Sequence, residues 1–99
     1  MTINFQFVDI NASEWLTAHA EEKLKKLANK YEFIVSAEVF FKEDVNEPVN
    51  SKICNIRLNL PGPRIFAASN EQNYEMAIKE TISDLEKQLK KRKDTYKTY

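Results

Sequence analysis

Asn73-Tyr74-Glu75-Met76-Ala77-Ile78-Lys79-Glu80-Thr81-Ile82-Ser83-Asp84-Leu85-Glu86-Lys87-Gln88-Leu89-Lys90-Lys91-Arg92-Lys93 decides how the rest of the chain must be arranged. Apolar residues recur at Tyr74, Ile78, Ile82, Leu85 and Leu89, a spacing of three and four that lays one stripe along a helix. Such a stripe has to be covered, and a sheet is the economical cover. At about 1.5 Å per residue the helix runs roughly 30 Å. A seven-residue strand at about 3.3 Å per residue spans only roughly 23 Å. The basic end is therefore expected to overhang the sheet, presenting Lys87, Lys90, Lys91, Arg92 and Lys93 beside the single acid Glu86 where a polyanion can reach them.

Working outward from this helix, the chain supplies the sheet. Ile3, Phe5 and Phe7 alternate with Asn4 and Gln6, the period of a strand over about residues 2–8. A helix then runs to about Lys30, with Leu16, Ala20, Leu24, Leu27 and Tyr31 at helical spacing. Its N-cap is either Asn11, which makes a capping box with Glu14, or Ser13. Lys23, Lys26 and Lys30 form their own stripe, roughly 85° round from the apolar one. A second strand covers about residues 34–42, with Val35, Ala37, Val39 and Phe41 on one side, and the acidic stretch 43–50 reads as an exposed connection. Cys54, Ile56, Leu58 and Leu60 mark the inner face of a third strand, which Pro61-Gly62-Pro63 turns into a short fourth, about residues 64–69. Its inner face stays open, because Ile65 and Ala67 compete with Phe66 and Ala68.

The order βαβββα gives an α+β fold, with both helices on one face of a four-stranded mixed sheet. The first crossover makes the first two strands parallel. Phe40 is left on the opposite face. With 99 residues, residues 1–99 are expected to form a single domain, with a tail at 94–99 that frays.

Lys and Arg together balance Asp and Glu at 15 each, so any affinity for nucleic acid must come from where the charges lie. The lone Cys54 excludes an internal disulfide and fits a reducing, cytoplasmic setting. With only His19 to join it, a zinc site is disfavoured and no metal or other cofactor is expected. No signal peptide or membrane span is visible. Cys54 reads as a core residue and His19 as a helix-surface residue. Trp15 and Tyr31 read as core or staple residues at the ends of the first helix. The lone glycine leaves no phosphate-cradling loop, and an enzyme is the weakest hypothesis.

Taken together, Glu21-Glu22-Lys23-Leu24-Lys25-Lys26-Leu27, the Leu60-Pro61-Gly62 turn with Ile65-Phe66-Ala67, and the run from Tyr74 to Lys93 resemble a ribosome hibernation-promoting factor. That family includes ribosome-associated inhibitor A and was once called a sigma-factor modulation family. The resemblance implies a non-enzymatic translation inhibitor that binds the small ribosomal subunit in the decoding channel and sterically blocks the messenger and transfer RNA sites. It implies ribosomal RNA contacts by Lys23, Lys26 and Lys30 and by Lys87, Lys90, Lys91, Arg92 and Lys93, through phosphate neutralisation. DNA and membrane partners are not expected, and off the ribosome the chain is expected to be monomeric. Where family members often carry a basic or histidine-containing end to the first strand, this chain has Phe7-Val8-Asp9. Long members append a C-terminal domain that pairs two ribosomes, and a chain of this length is expected to correspond to the short form without it.

Two other readings compete. One is a general structured-RNA-binding domain. The other is a protein-interaction module using the open sheet face around Phe40. Part of the basic cluster also has a purely structural explanation, since cations in a last turn complement the helix dipole.

Overall fold

In the computed structural model, which describes residues 1–97, alternation along the chain becomes a sheet with one buried face. Strand β1 is Thr2–Phe7, helix α1 Glu14–Lys30, β2 Ser36–Glu43, β3 Lys52–Asn59, β4 Ile65–Glu71 and helix α2 Tyr74–Lys97. The strands lie in the order β1-β2-β3-β4. β1 pairs parallel with β2, and the other pairings are antiparallel. This is the expected βαβββα arrangement on a mixed sheet.

Register settles which side of β4 faces inward. Ile56 pairs with Ala67 and Leu58 with Ile65, and because paired residues share a face, Ala67 and Ile65 join the core. Phe66 is left half exposed on the other side. The buried residues form one cluster, with Leu16, Ala20, Leu24 and Leu27 of α1, alternating residues of the strands, and Ala77, Ile78, Leu85 and Leu89 of α2. Thr81 is the buried polar member, and its hydroxyl donates to the Cys54 carbonyl at 3.1 Å. At about 25 cal/mol per Å² of apolar surface, a buried Leu such as Leu85 contributes about 2 kcal/mol.

Two expectations about single residues are corrected. Val35 lies before β2 and is 61% exposed, because its amide donates to the Asn59 carbonyl at 2.8 Å while Ile34 turns into the core instead. Trp15 is 59% exposed, because Leu16 takes the core position at the start of α1.

The end of α2 also differs from expectation. Instead of stopping near Lys93, the helix continues to Lys97, held by Tyr96, whose hydroxyl donates to the Pro61 carbonyl and whose ring meets Phe33 edge-on at 5.0 Å. Of the tail expected to fray, residues 98 and 99 lie outside the described residues.

Candidate nucleic-acid interface

Both helices start at capped ends. The Ser13 hydroxyl accepts from the Leu16 amide at 3.2 Å, so Ser13 rather than Asn11 is the N-cap of α1. The Asn73 side chain accepts from the Met76 amide at 2.8 Å and caps α2 as its sequence position suggests. Tyr74 then anchors α2 to the sheet, donating to the Lys42 carbonyl at 2.7 Å.

The helices run side by side in the same direction. His19 and Lys23 of α1 face Met76, Lys79 and Ile82 of α2 across a groove of about 590 Å³, and further along Lys30 meets Glu86. One end of the pair therefore holds the acidic first turns, Glu14 and Glu75, with Tyr74 fixing the start of α2 at the end of β2, where Glu43 pairs with Lys52. The other end gathers the cations.

At the cationic end the two helices converge on Tyr31. The Lys30 ammonium donates to the Glu86 carboxylate, and the Tyr31 hydroxyl donates to the same Oε2 at 3.2 Å. Lys30 and Lys93 each place their Nζ 5.8 Å from the centre of the Tyr31 ring, one from each helix, within cation–π range. Lys90 completes a recess of about 250 Å³ lined by Lys30, Tyr31, Lys90, Lys93 and Asp94.

The electrostatics follow from this crowding. The hydrogen bond from Lys30 holds the Glu86 carboxyl below its ordinary value against the opposing effect of burial, with Lys90 adding a smaller push. The same bond raises Lys30. Tyr31 is raised first by burial and then by Glu86. The Glu86 carboxylate thus sits among Lys30, Lys90 and the Tyr31 phenol as an internal counterion.

Arg92 has a different position from the one expected of a phosphate contact. Its guanidinium donates to the Pro61 carbonyl at 3.0 Å and to the Pro63 carbonyl at 2.9 Å. Gln88 donates to the Phe66 carbonyl at 3.0 Å. The overhang expected of α2 is thus filled from below by the β3–β4 turn. Gly62 is needed there twice over. Its φ of +91° is strained for any side chain, and a Cβ on it would lie 3.2 Å from Arg92 Nη1.

The remaining expected residues are exposed or half-buried. Lys26 pairs with Glu22 at 3.4 Å, a neighbour one turn back. Lys87 and Lys91 are exposed and make no ion pair among the described residues. Lys23 lines the groove with Lys79, a cation that the sequence pattern did not single out. Tyr31 was the larger omission as a site residue. Its partner Glu86 lies 55 residues away, and no local pattern announces such a pair.

Burial pushes the Cys54 thiol up to about 12, partly offset by its hydrogen bond with Thr81, so it is no nucleophile at neutral pH. Among the described residues no group of three or more His, Cys, Asp or Glu could hold a metal ion, and no helix is long and apolar enough to cross a membrane.

Comparison with known proteins sharpens this. No curated protein sequence matches the chain. Among solved structures, a ribosomal subunit interface protein from Coxiella burnetii superposes with a TM-score of 0.85 at 23% identity, covering 95% of this chain and 99% of that one. The N-terminal domain of Protein Y from Thermus thermophilus superposes with a TM-score of 0.78 at 20% identity, covering 92% and 98%. At these identities the likeness establishes the fold. A family model, sigma 54 modulation protein / S30EA ribosomal protein, matches residues 3–97, nearly the whole of the described chain. With that match added to the architecture and the paired basic helices, the chain belongs to the sigma 54 modulation protein / S30EA ribosomal protein family, whose members are non-enzymatic ribosome-binding factors.

Proposed function

We propose that this protein is a cytoplasmic ribosome hibernation factor that binds the small ribosomal subunit in the decoding channel and inhibits translation by occluding the messenger and transfer RNA sites. The observation that carries the reading is the convergence of Lys30, Lys90 and Lys93 from two parallel helices around Tyr31, with Lys87 and Lys91 exposed on the same stretch of α2. The helix that carries Lys90 and Lys93 is tied to the sheet at its start by Tyr74 and to the β3–β4 turn near its end by Arg92. Such a face matches fixed phosphate positions rather than any polyanion, and shape is what distinguishes one folded RNA surface from another.

Lys23, Lys26, Lys30, Lys87, Lys90, Lys91 and Lys93 contact ribosomal RNA phosphates directly in this reading. Arg92 contributes by holding the end of α2 in place. The chain acts as a monomer away from the ribosome, without DNA or a membrane as partner. Occlusion requires only bulk and affinity, so no residue has a catalytic part. Net charge of +0 keeps general attraction to RNA weak and leaves binding to depend on this one face.

The test is cosedimentation of the purified chain with small and with large ribosomal subunits across a salt series, with an unrelated RNA duplex as competitor. Saturable binding to the small subunit that resists the competitor is expected. Binding that follows total RNA, or no binding at low salt, overturns the proposal.

A further inference from the structure

Trp15 is the only tryptophan of the chain, and it is 59% exposed at the start of α1. It is not bare by accident of mobility, since its ring stacks on His19, one turn along, at 5.1 Å between centroids and 5° between planes. An indole covered by an imidazole on one side keeps one flat face for another planar group. The core does not require it there, because Leu16 fills the apolar position.

What surrounds Trp15 favours one kind of planar group. His19 leads directly into Lys23 on the wall of the groove between the helices, with Met76, Lys79 and Ile82 opposite. Lys26 and Lys30 continue along the same flank of α1. At about 1.5 Å per residue, Trp15 and Lys23 are separated by roughly 12 Å along the helix axis, the scale of a short stretch of single-stranded nucleic acid. Glu14 and Glu75, the first-turn acids, lie at the Trp15 end. They turn a phosphate away but not a neutral base. Aromatic surface and cations are therefore laid out in sequence along one ridge, base end first.

We infer that Trp15, backed by His19, is a stacking platform for an unpaired base of the RNA that meets the helix pair, with the neighbouring phosphates directed toward Lys23 and Lys79. The inference rests on the proposed RNA-binding function and adds an interaction of another chemical kind to it. A stacked base neutralises no phosphate, so its removal weakens binding without changing the salt dependence.

The experiment compares the full chain with Trp15→Ala and Trp15→Phe in small-subunit cosedimentation across a salt series. A parallel titration follows Trp15 fluorescence of the wild type with a ten-nucleotide single-stranded RNA and with the corresponding duplex. Trp15→Ala is expected to weaken subunit binding about ten-fold at every salt concentration with an unchanged slope, and Trp15→Phe to restore most of it. The single strand should quench fluorescence more strongly than the duplex. Unfolding midpoints of both variants near that of the wild type would exclude a structural cause. Equal affinity of wild type and Trp15→Ala, or a loss carried by a changed slope, overturns the platform while leaving ribosome binding intact. Failure of the wild type to bind the small subunit defeats the proposed function instead; quenching by the single strand would then sustain the platform alone, and its absence would remove both.

Discussion

The two flanks of α2 beyond Leu85 carry similar polar side chains and use them differently. On the flank over the β3–β4 turn, Gln88, Arg92 and Tyr96 all end on backbone carbonyls, those of Phe66, Pro61 and Pro63. On the flank toward α1, Lys90 and Lys93 gather with Lys30 around Tyr31, while Lys87 and Lys91, on the outward side of the helix, are exposed. A carbonyl partner is built into the fold and competes with a phosphate for its donor. A lysine held by cation–π attraction, by a partly exposed carboxylate as Lys30 is by Glu86, or by nothing can exchange its partner for a phosphate. The density of cations in the chain therefore overstates what a polyanion can reach, and the distinction is open to test.

The largest effect should come from the exposed side. Replacing Lys87, Lys90 and Lys91 together by Glu should abolish cosedimentation with the small subunit, while each surface change alters stability by only about 0.5 kcal/mol. Milder Ala replacements should flatten the salt dependence by about 0.9 for each phosphate that is no longer neutralised. Persistent binding of the triple Glu protein would show that these lysines lie outside the interface.

Arg92→Ala addresses the other flank. Losing a cation that donates to two carbonyls should lower the unfolding free energy by about 1–2 kcal/mol in urea titrations, with the salt slope of binding unchanged. An unaltered stability with a flatter slope would move Arg92 to the RNA-facing set. Gly62→Ala should cost about 1 kcal/mol, because its φ of +91° is strained for alanine and the new methyl crowds Arg92. If Arg92 were not seated on the turn, that cost would be the same in the Arg92→Ala background as in the wild type; a smaller cost there is expected.

The smallest effect concerns Glu86. Its carboxyl is held below the ordinary value of 4.5 chiefly by Lys30, so the stability it contributes is present above about that pH and is lost as pH falls through the lower folded value. The matching contribution from Lys30, raised above 10.5, is present below that value and lost as pH rises through the folded one. Urea midpoints measured from pH 6 down to pH 3 should fall more steeply for the wild type than for Glu86→Gln. Parallel curves would mean that the pair is too well solvated to matter.

Much of this fold can be read along the chain. Alternation in β1, β2 and β3 names the inner face correctly because their outward residues are mostly polar. In β4 both rows are apolar, and only pairing with Ile56 and Leu58 separates Ala67 and Ile65 from Phe66. Trp15 was legible in principle, since it stands 100° away from Leu16 on a helix, outside the centre of the stripe. Arg92 was not, because its partners are carbonyls 31 and 29 residues earlier, reached only when the turn folds beneath the helix. Local periodicity reports which side of an element is buried. It does not report which charged groups the folded chain has already engaged.

The arrangement of the helix pair, first-turn acids at one end and a lysine cluster at the other, has a bearing on how the protein approaches its target. A body with no net charge but well-separated poles feels little pull in a uniform field and a considerable torque. Near a phosphate-lined surface it would be turned before it is drawn in, arriving with Tyr31 and its lysines foremost, so that fewer collisions are wasted on the wrong orientation. Added salt should then slow capture by randomising that approach, even where the final docked arrangement is unchanged.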